Sequence, residues 1–103
     1  MLFHVTMTHS EDNCPAYQRE KMSEFAAAME KAEALAEEMN VKVHFFLWGA
    51  PEHVAFGLFE ADSIAAVSRY VFAAVPIRQD FKVTPVQHLQ EMMAMAKAMT
   101  AGG

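Results

Sequence analysis

Imidazole, thiolate and thioether together make the ligand set of soft transition metals, and this chain carries five histidines, one cysteine and nine methionines. His9, Cys14 and His53 are the set whose placement matters most. A first strand that ends at His9, a loop holding Cys14 and a third strand that begins at His53 would bring the three together. Zinc, iron or copper held by three protein ligands with one open position would describe a catalytic metal site. No close CxxC or HxxxH spacing accompanies them, and each also has an ordinary structural role: strand end, helix cap and loop. Cys14 alone has a further reading as an activated thiol, since a helix N-terminus favours the thiolate.

Two other groupings suit different chemistry. His4 on the first strand and Glu60 at the end of the third form a candidate pair for moving a proton on a bound carbon acid, with His88 following the fourth strand. The plainer role of such a pair is a structural hydrogen bond. His44 and Trp48, with Thr6, Phe46 and His53, are placed to orient a ring-containing ligand by hydrogen bonding and stacking.

Composition narrows the classes. Eight Lys and Arg against 13 Asp and Glu give a net charge of -5, which argues against a nucleic-acid surface. No apolar run approaches the roughly 20 residues of a membrane span. A single cysteine closes no disulfide within the chain, and MLFHVTMTH lacks the pattern of a signal peptide, so a cytoplasmic protein is expected. The acidic run from Glu30 to Glu38 lacks the alternating ligands of a calcium loop. A glycine-rich phosphate loop and a GxSxG elbow are both missing, which argues against nucleotide hydrolysis and serine hydrolase chemistry.

The elements that must position these groups follow from periodicity. Phe3, Val5 and Met7 alternate with His4, Thr6 and Thr8, a strand pattern. Pro15 is suited to the first turn of a long helix capped by Asn13 or Cys14, with a stripe of Met22, Phe25, Ala26, Met29, Ala32, Leu35, Ala36 and Met39 and a stop at Asn40. Val41 to Trp48 and His53 to Phe59 read as antiparallel strands. Asp62 and Ser63 cap a second helix with Ile64, Val67, Tyr70, Val71 and Ala74 inward, ended by Pro76. Phe81 to Thr84 is a fourth strand, placed at a sheet edge by Pro85.

The tail to Met99 is an amphipathic helix. The predicted fold class is therefore α+β, a ferredoxin-like βαββαβ domain over residues 1–88 with an appended helix and tail over 89–103. The third strand should lie between the first and second, with the fourth on the other side of the first.

Strict alternation assigns Phe3, Val5, Met7, Val41, Val43, Phe45, Leu47, Val54, Phe56, Leu58, Phe81 and Val83 to the helix-covered face. His44, Phe46, Trp48, Ala55, Gly57 and Phe59 then fall on the opposite face, where large rings beside small residues would leave a hollow. An uncovered face of that kind asks for a second copy of the sheet. The methionines other than the initiator fall on packing positions, which moves the soft-metal reading onto His9, Cys14 and His53.

MLFHV followed by Met7, the strand pair from Trp48 to Glu60, and Lys82-Val83-Thr84-Pro85 resemble the dimeric α+β barrel superfamily. Within it, MLFHV and KVTP are similar to muconolactone isomerases, and THSEDNCPA to GAPEH resembles a group of small uncharacterised members. The resemblance spans roughly residues 1–88. It implies a homodimer, or an assembly of dimers, that binds a small aromatic or apolar compound as a cofactor-free isomerase or monooxygenase. A metal-binding protein using His9, Cys14 and His53, with a transition metal as cofactor, is the alternative. A non-enzymatic interaction or sensing module is the third.

Overall fold

The computed structural model describes residues 1–101. Strand β1 (Leu2–Thr8) is followed by two short 3-10 turns, Glu11–Asn13 and Pro15–Tyr17, and then by helix α1 (Arg19–Glu38). Strand β2 (Lys42–Gly49), a 3-10 turn (Ala50–Glu52) and β3 (Val54–Glu60) lead to α2 (Ile64–Ala74), β4 (Asp80–Val86) and α3 (Leu89–Ala101). The four antiparallel strands lie in the order β2-β3-β1-β4, as right-handed crossovers require, in an arrangement compatible with a ferredoxin-like fold.

The ends of α1 differ in how closely they follow the sequence signals. At its C-terminus Asn40 takes φ 55°, the Val41 N–H donates to the Ala36 carbonyl and the Asn40 N–H to the Glu37 carbonyl. This is the six-to-one and five-to-two pattern of a left-handed helix stop. At the N-terminus Pro15 does not open the long helix. The amide bonds from Tyr17 to Cys14 and from Gln18 to Pro15 close a tighter turn, and Gln18 at φ -137° breaks it before α1 begins. Cys14 therefore precedes a three-residue turn, and the helix-dipole argument for its activation lapses.

Ser63 caps α2 by accepting from the Ala66 N–H at 3.2 Å, and Val67, Tyr70, Val71 and Ala74 are buried, whereas Ile64 in the first turn is exposed. Pro85 lies on the edge strand β4, opposite Phe3. The terminal helix α3 buries none of its residues, so its Leu89 and methionines are not held by packing within the chain.

The sides of the sheet are not those that strict alternation predicts. Phe3, Val5 and Met7 are buried beneath the helices, but their register partners across β3 are Phe59, Gly57 and Ala55. Val54, Phe56 and Leu58 therefore face away. In β2 a bulge at His44 shifts the alternation: Val43 is opposite Phe59, and the next paired residue, Phe45, is already opposite Leu58. Phe46 and Trp48 consequently lie on the helix side, and Phe45 and Leu47 on the open side.

The hollow expected over Ala55 and Gly57 is filled from within. The Phe59 ring folds over Gly57, so closely that a Cβ there would overlap it. Phe59 is itself held edge-on by Phe46 (ring centroids 5.6 Å apart) and Tyr70 (5.7 Å). The Tyr70 hydroxyl, inside the core, donates to the Ala32 carbonyl at 3.1 Å and ties α2 to α1. Gly57→Ala should force the Phe59 ring out of this place and cost about 1–3 kcal/mol. Urea unfolding measures the loss, and an unchanged midpoint would contradict this packing.

Candidate metal centre

Antiparallel pairing of β1 and β3 continues one step beyond the ladder. The His9 N–H donates to the His53 carbonyl at 3.2 Å, which sets the two imidazoles side by side with ring centroids 5.2 Å apart and planes at 78°. His53 adopts φ 53°, a left-handed conformation that histidine takes more readily than β-branched residues and that turns the chain from the Ala50–Glu52 turn into β3. Cys14 reaches the same place from the first loop. Its backbone is pinned by its own N–H to the Glu11 carbonyl and by its carbonyl accepting from Tyr17, both at 3.2 Å.

One ligating atom from each of His9, Cys14 and His53 lies within 4.8 Å of the other two. Both ring nitrogens of His9 and the Nδ1 of His53 are buried without a hydrogen-bond partner among the described residues. His9 is only 9% exposed and Cys14 4%. Burial lowers the His9 pKa, and the neighbouring His53 lowers it further, so the neutral, metal-ligating imidazole is favoured.

Aromatic rings surround the set. Trp48 stacks on His9 at 5.6 Å and 23°, Phe25 of α1 lies 5.0 Å beyond Trp48, and Tyr17 tilts against His53 at 5.9 Å. Tyr17 and Phe25 gave no sign of this role in the sequence: Phe25 was one position in a helical stripe, and Tyr17 lay in what reads as the first turn of a helix.

The structure separates the other candidate groups. Glu60 meets His44 rather than His4, with the His44 Nε2 and the Glu60 Oε1 3.1 Å apart. His4 instead lies on the open face near the rings of Phe45 (6.3 Å) and Phe56 (6.1 Å). Thr6 shares that face, half-buried. His44 points to the open face while Phe46 and Trp48 face the helices, so the proposed ring-binding set is split between the two sides. His53 belongs with the metal-type cluster, and His88 lines, with Glu60 and Glu91, a cavity of about 770 Å³ at the start of α3.

A second concavity lies between α1 and β2. Phe25, Met29, Val43, Phe46, Trp48 and Tyr70 line an apolar cleft of about 690 Å³. Trp48 thus borders both the cleft and the His9 ring.

The family model for a domain of unknown function, DUF3303, matches residues 1–100, and the chain belongs to that family. No curated protein matches the chain. Among the described residues no helix is long and apolar enough to cross a membrane.

The His44 hydrogen bond is the main cause that holds the Glu60 carboxyl below its ordinary value of 4.5; partial desolvation opposes it, and the Lys42 charge adds to it. A depressed folded-state pKa favours the folded chain above the unfolded value, and that contribution is lost as pH falls through the folded one. The carboxylate is half exposed to solvent, so the contribution is slight. In a carbon-detected NMR titration the Glu60 midpoint should lie below 4.5 and rise toward it in His44→Ala. Equal midpoints in the two proteins would contradict the assignment.

Proposed function

We propose that this protein binds one transition-metal ion, zinc foremost among zinc, iron and copper, through His9, Cys14 and His53. The observation that carries this reading is the convergence of the three ligating atoms to within 4.8 Å around imidazole nitrogens that have no other partner. In a tetrahedral zinc site, ligand atoms at the usual bond lengths stand roughly 3.3–3.6 Å apart. Each pair therefore closes by about 1.4 Å or less, within reach of small side-chain rotations. The cluster has no fourth His, Cys, Asp or Glu among the described residues. An ion held this way keeps one position open and supplies Lewis acidity to whatever reaches it.

Around it this chain's own residues do the positioning. The Trp48 ring against His9 fixes the imidazole plane and keeps bulk water from that side, and the two short 3-10 turns hold the Cys14 sulfur inward. Metal analysis of protein purified without an affinity tag should give one equivalent per chain, lost in His9→Ala and Cys14→Ser. Cobalt added to the metal-free protein should quench emission from Trp48, the single tryptophan, in the unsubstituted chain and not in these variants. Substoichiometric metal that the substitutions leave unchanged would sink the proposal.

The apolar cleft favours a second reading, a small aromatic or apolar compound held between α1 and β2. The resemblance to muconolactone isomerases supports the same reading, with isomerase or cofactor-free monooxygenase activity. Native mass spectrometry of the purified protein checks it, through a co-purifying compound displaced in Phe46→Trp.

Pairing of two chains through the open sheet face belongs with either reading. Leu47 is 57% exposed there, beside Phe45 and Phe56, a row that a second sheet would remove from water. Leu47→Asp should convert a sedimenting dimer to a monomer; a monomer without the substitution would exclude the pairing.

A further inference from the structure

Helix α3 carries an apolar stripe that its own chain does not bury. All 13 of its residues are exposed, and the molecule extends 61 Å along one axis against 30 and 18 Å along the others. Leu89, Met92, Met93, Ala96 and Met99 recur at three- and four-residue steps, the anchor spacing of a helix that lies in an apolar groove. Thr100 falls within the stripe, but its hydroxyl is satisfied by the helix's own carbonyls at Ala96 and Lys97, both at 3.1 Å, so burying it strands no donor. The cleft between α1 and β2 has the complementary form. One wall is the ridge of Phe25, Met29 and Ala32, and the other is Val43, Phe46 and Trp48. Val43 and Trp48 remain 36% and 38% exposed, so the cleft is an open trough rather than a closed pocket. From Phe25 to Glu37 it follows α1 for about 18 Å, and α3 is about 20 Å long.

We propose that this cleft receives helix α3 of a second copy of the chain, and that the two copies exchange their helices reciprocally. The chain's own α3 cannot lie there. The strands β4 and β2 are opposite edges of the sheet, about 14 Å apart at the usual spacing. Only Gln87 and His88 join β4 to α3, a link of about 11 Å when fully extended. A second copy is free of that tether, and a two-fold axis makes both contacts at once. Charge sets the direction. With α3 parallel to α1 and Leu89 level with Phe25, the eight residues that follow bring Lys97, on the flank of the stripe, level with Glu33 on the rim of the cleft. The same seating sets the C-terminal end of α3 near Glu37 and Lys42, where the Lys42 cation faces the free carbonyls of the helix end. Two helices that each bury about a third of their surface remove on the order of 1,000 Å² from water, helices and clefts together, which reaches the lower end of specific interfaces. The exchange therefore adds to pairing through the open sheet face. It is independent of the metal reading, and it takes the place of the small compound as occupant of the cleft.

The test mixes equal amounts of full-length chain labelled at its methionine methyls and unlabelled chain, and records isotope-filtered NOEs. Methyl signals of Met92, Met93 and Met99 on the labelled copy should show contacts to the Phe25 and Trp48 rings of the unlabelled one. The double variant Met92→Glu/Met93→Glu should lose these contacts, shift Trp48 emission to the red and raise the dimer dissociation constant at least 10-fold, roughly the effect of two charges set in an apolar groove. Its fold should be unchanged, since α3 buries nothing within the chain, and the NOEs of the unsubstituted protein decide the matter without it. Lys97→Glu should weaken association about 5-fold, and Glu33→Lys in the same chain should restore it. Absence of contacts between copies, contacts confined to one chain, or a compound found seated in the cleft would overturn the proposal. So would a double variant that associates as the unsubstituted chain does, since the dimer would then rest on the sheet face alone. Metal stoichiometry is untouched by any of these results.

Discussion

A single backbone hydrogen bond beyond the end of the β1–β3 ladder, from the His9 N–H to the His53 carbonyl, sets the two imidazoles of the proposed metal site side by side. Without it the two histidines would sit in separate loops. With it, the last turn of sheet pairing sets both imidazoles at one end of the molecule, and the strand order leaves the loop carrying Cys14 as their neighbour. The pairing is secured from the core: Val5 and Met7 are wholly buried on β1, and Phe59 on β3 is clamped by Phe46 and Tyr70. The left-handed turn at His53 is the local cost of this arrangement, and strained backbone of that kind persists where the surroundings over-determine it.

Much of this was legible in the residues. The order of elements, the Ser63 cap, the left-handed stop at Asn40 and the edge position of Pro85 each rest on a local signal with one physical cause. The meeting of His9, Cys14 and His53 was legible for a different reason. It needed no side-chain geometry, only the strand order, because any ferredoxin-like sheet sets the end of its first strand beside the start of its third.

What was not legible is which way β2 and β3 face. Both sides of β3 are apolar, Val54, Phe56 and Leu58 on one and Ala55, Gly57 and Phe59 on the other, so alternation carries no sign. Bulk points to the wrong side, because the core places its small residues under a ring that folds back over them. In β2 the bulge at His44 moves every later residue to the other face, and nothing in Val41 to Trp48 announces it. This is why the ring-binding set drawn from the sequence is divided in the structure. The same shift also has a constructive effect: it carries Trp48 to the helix side, where it touches His9 and Phe25 and joins the metal-type cluster to the apolar cleft.

In the proposed site His9, Cys14 and His53 hold one ion together. X-ray absorption at the zinc edge, on protein purified without a tag and loaded with one equivalent, tests it most directly. Coordination by the three side chains gives one sulfur at about 2.3 Å and two imidazole nitrogens at about 2.0–2.1 Å, with one light-atom position besides. A shell of light atoms with no sulfur would contradict it, since the ion would then lie elsewhere on the chain.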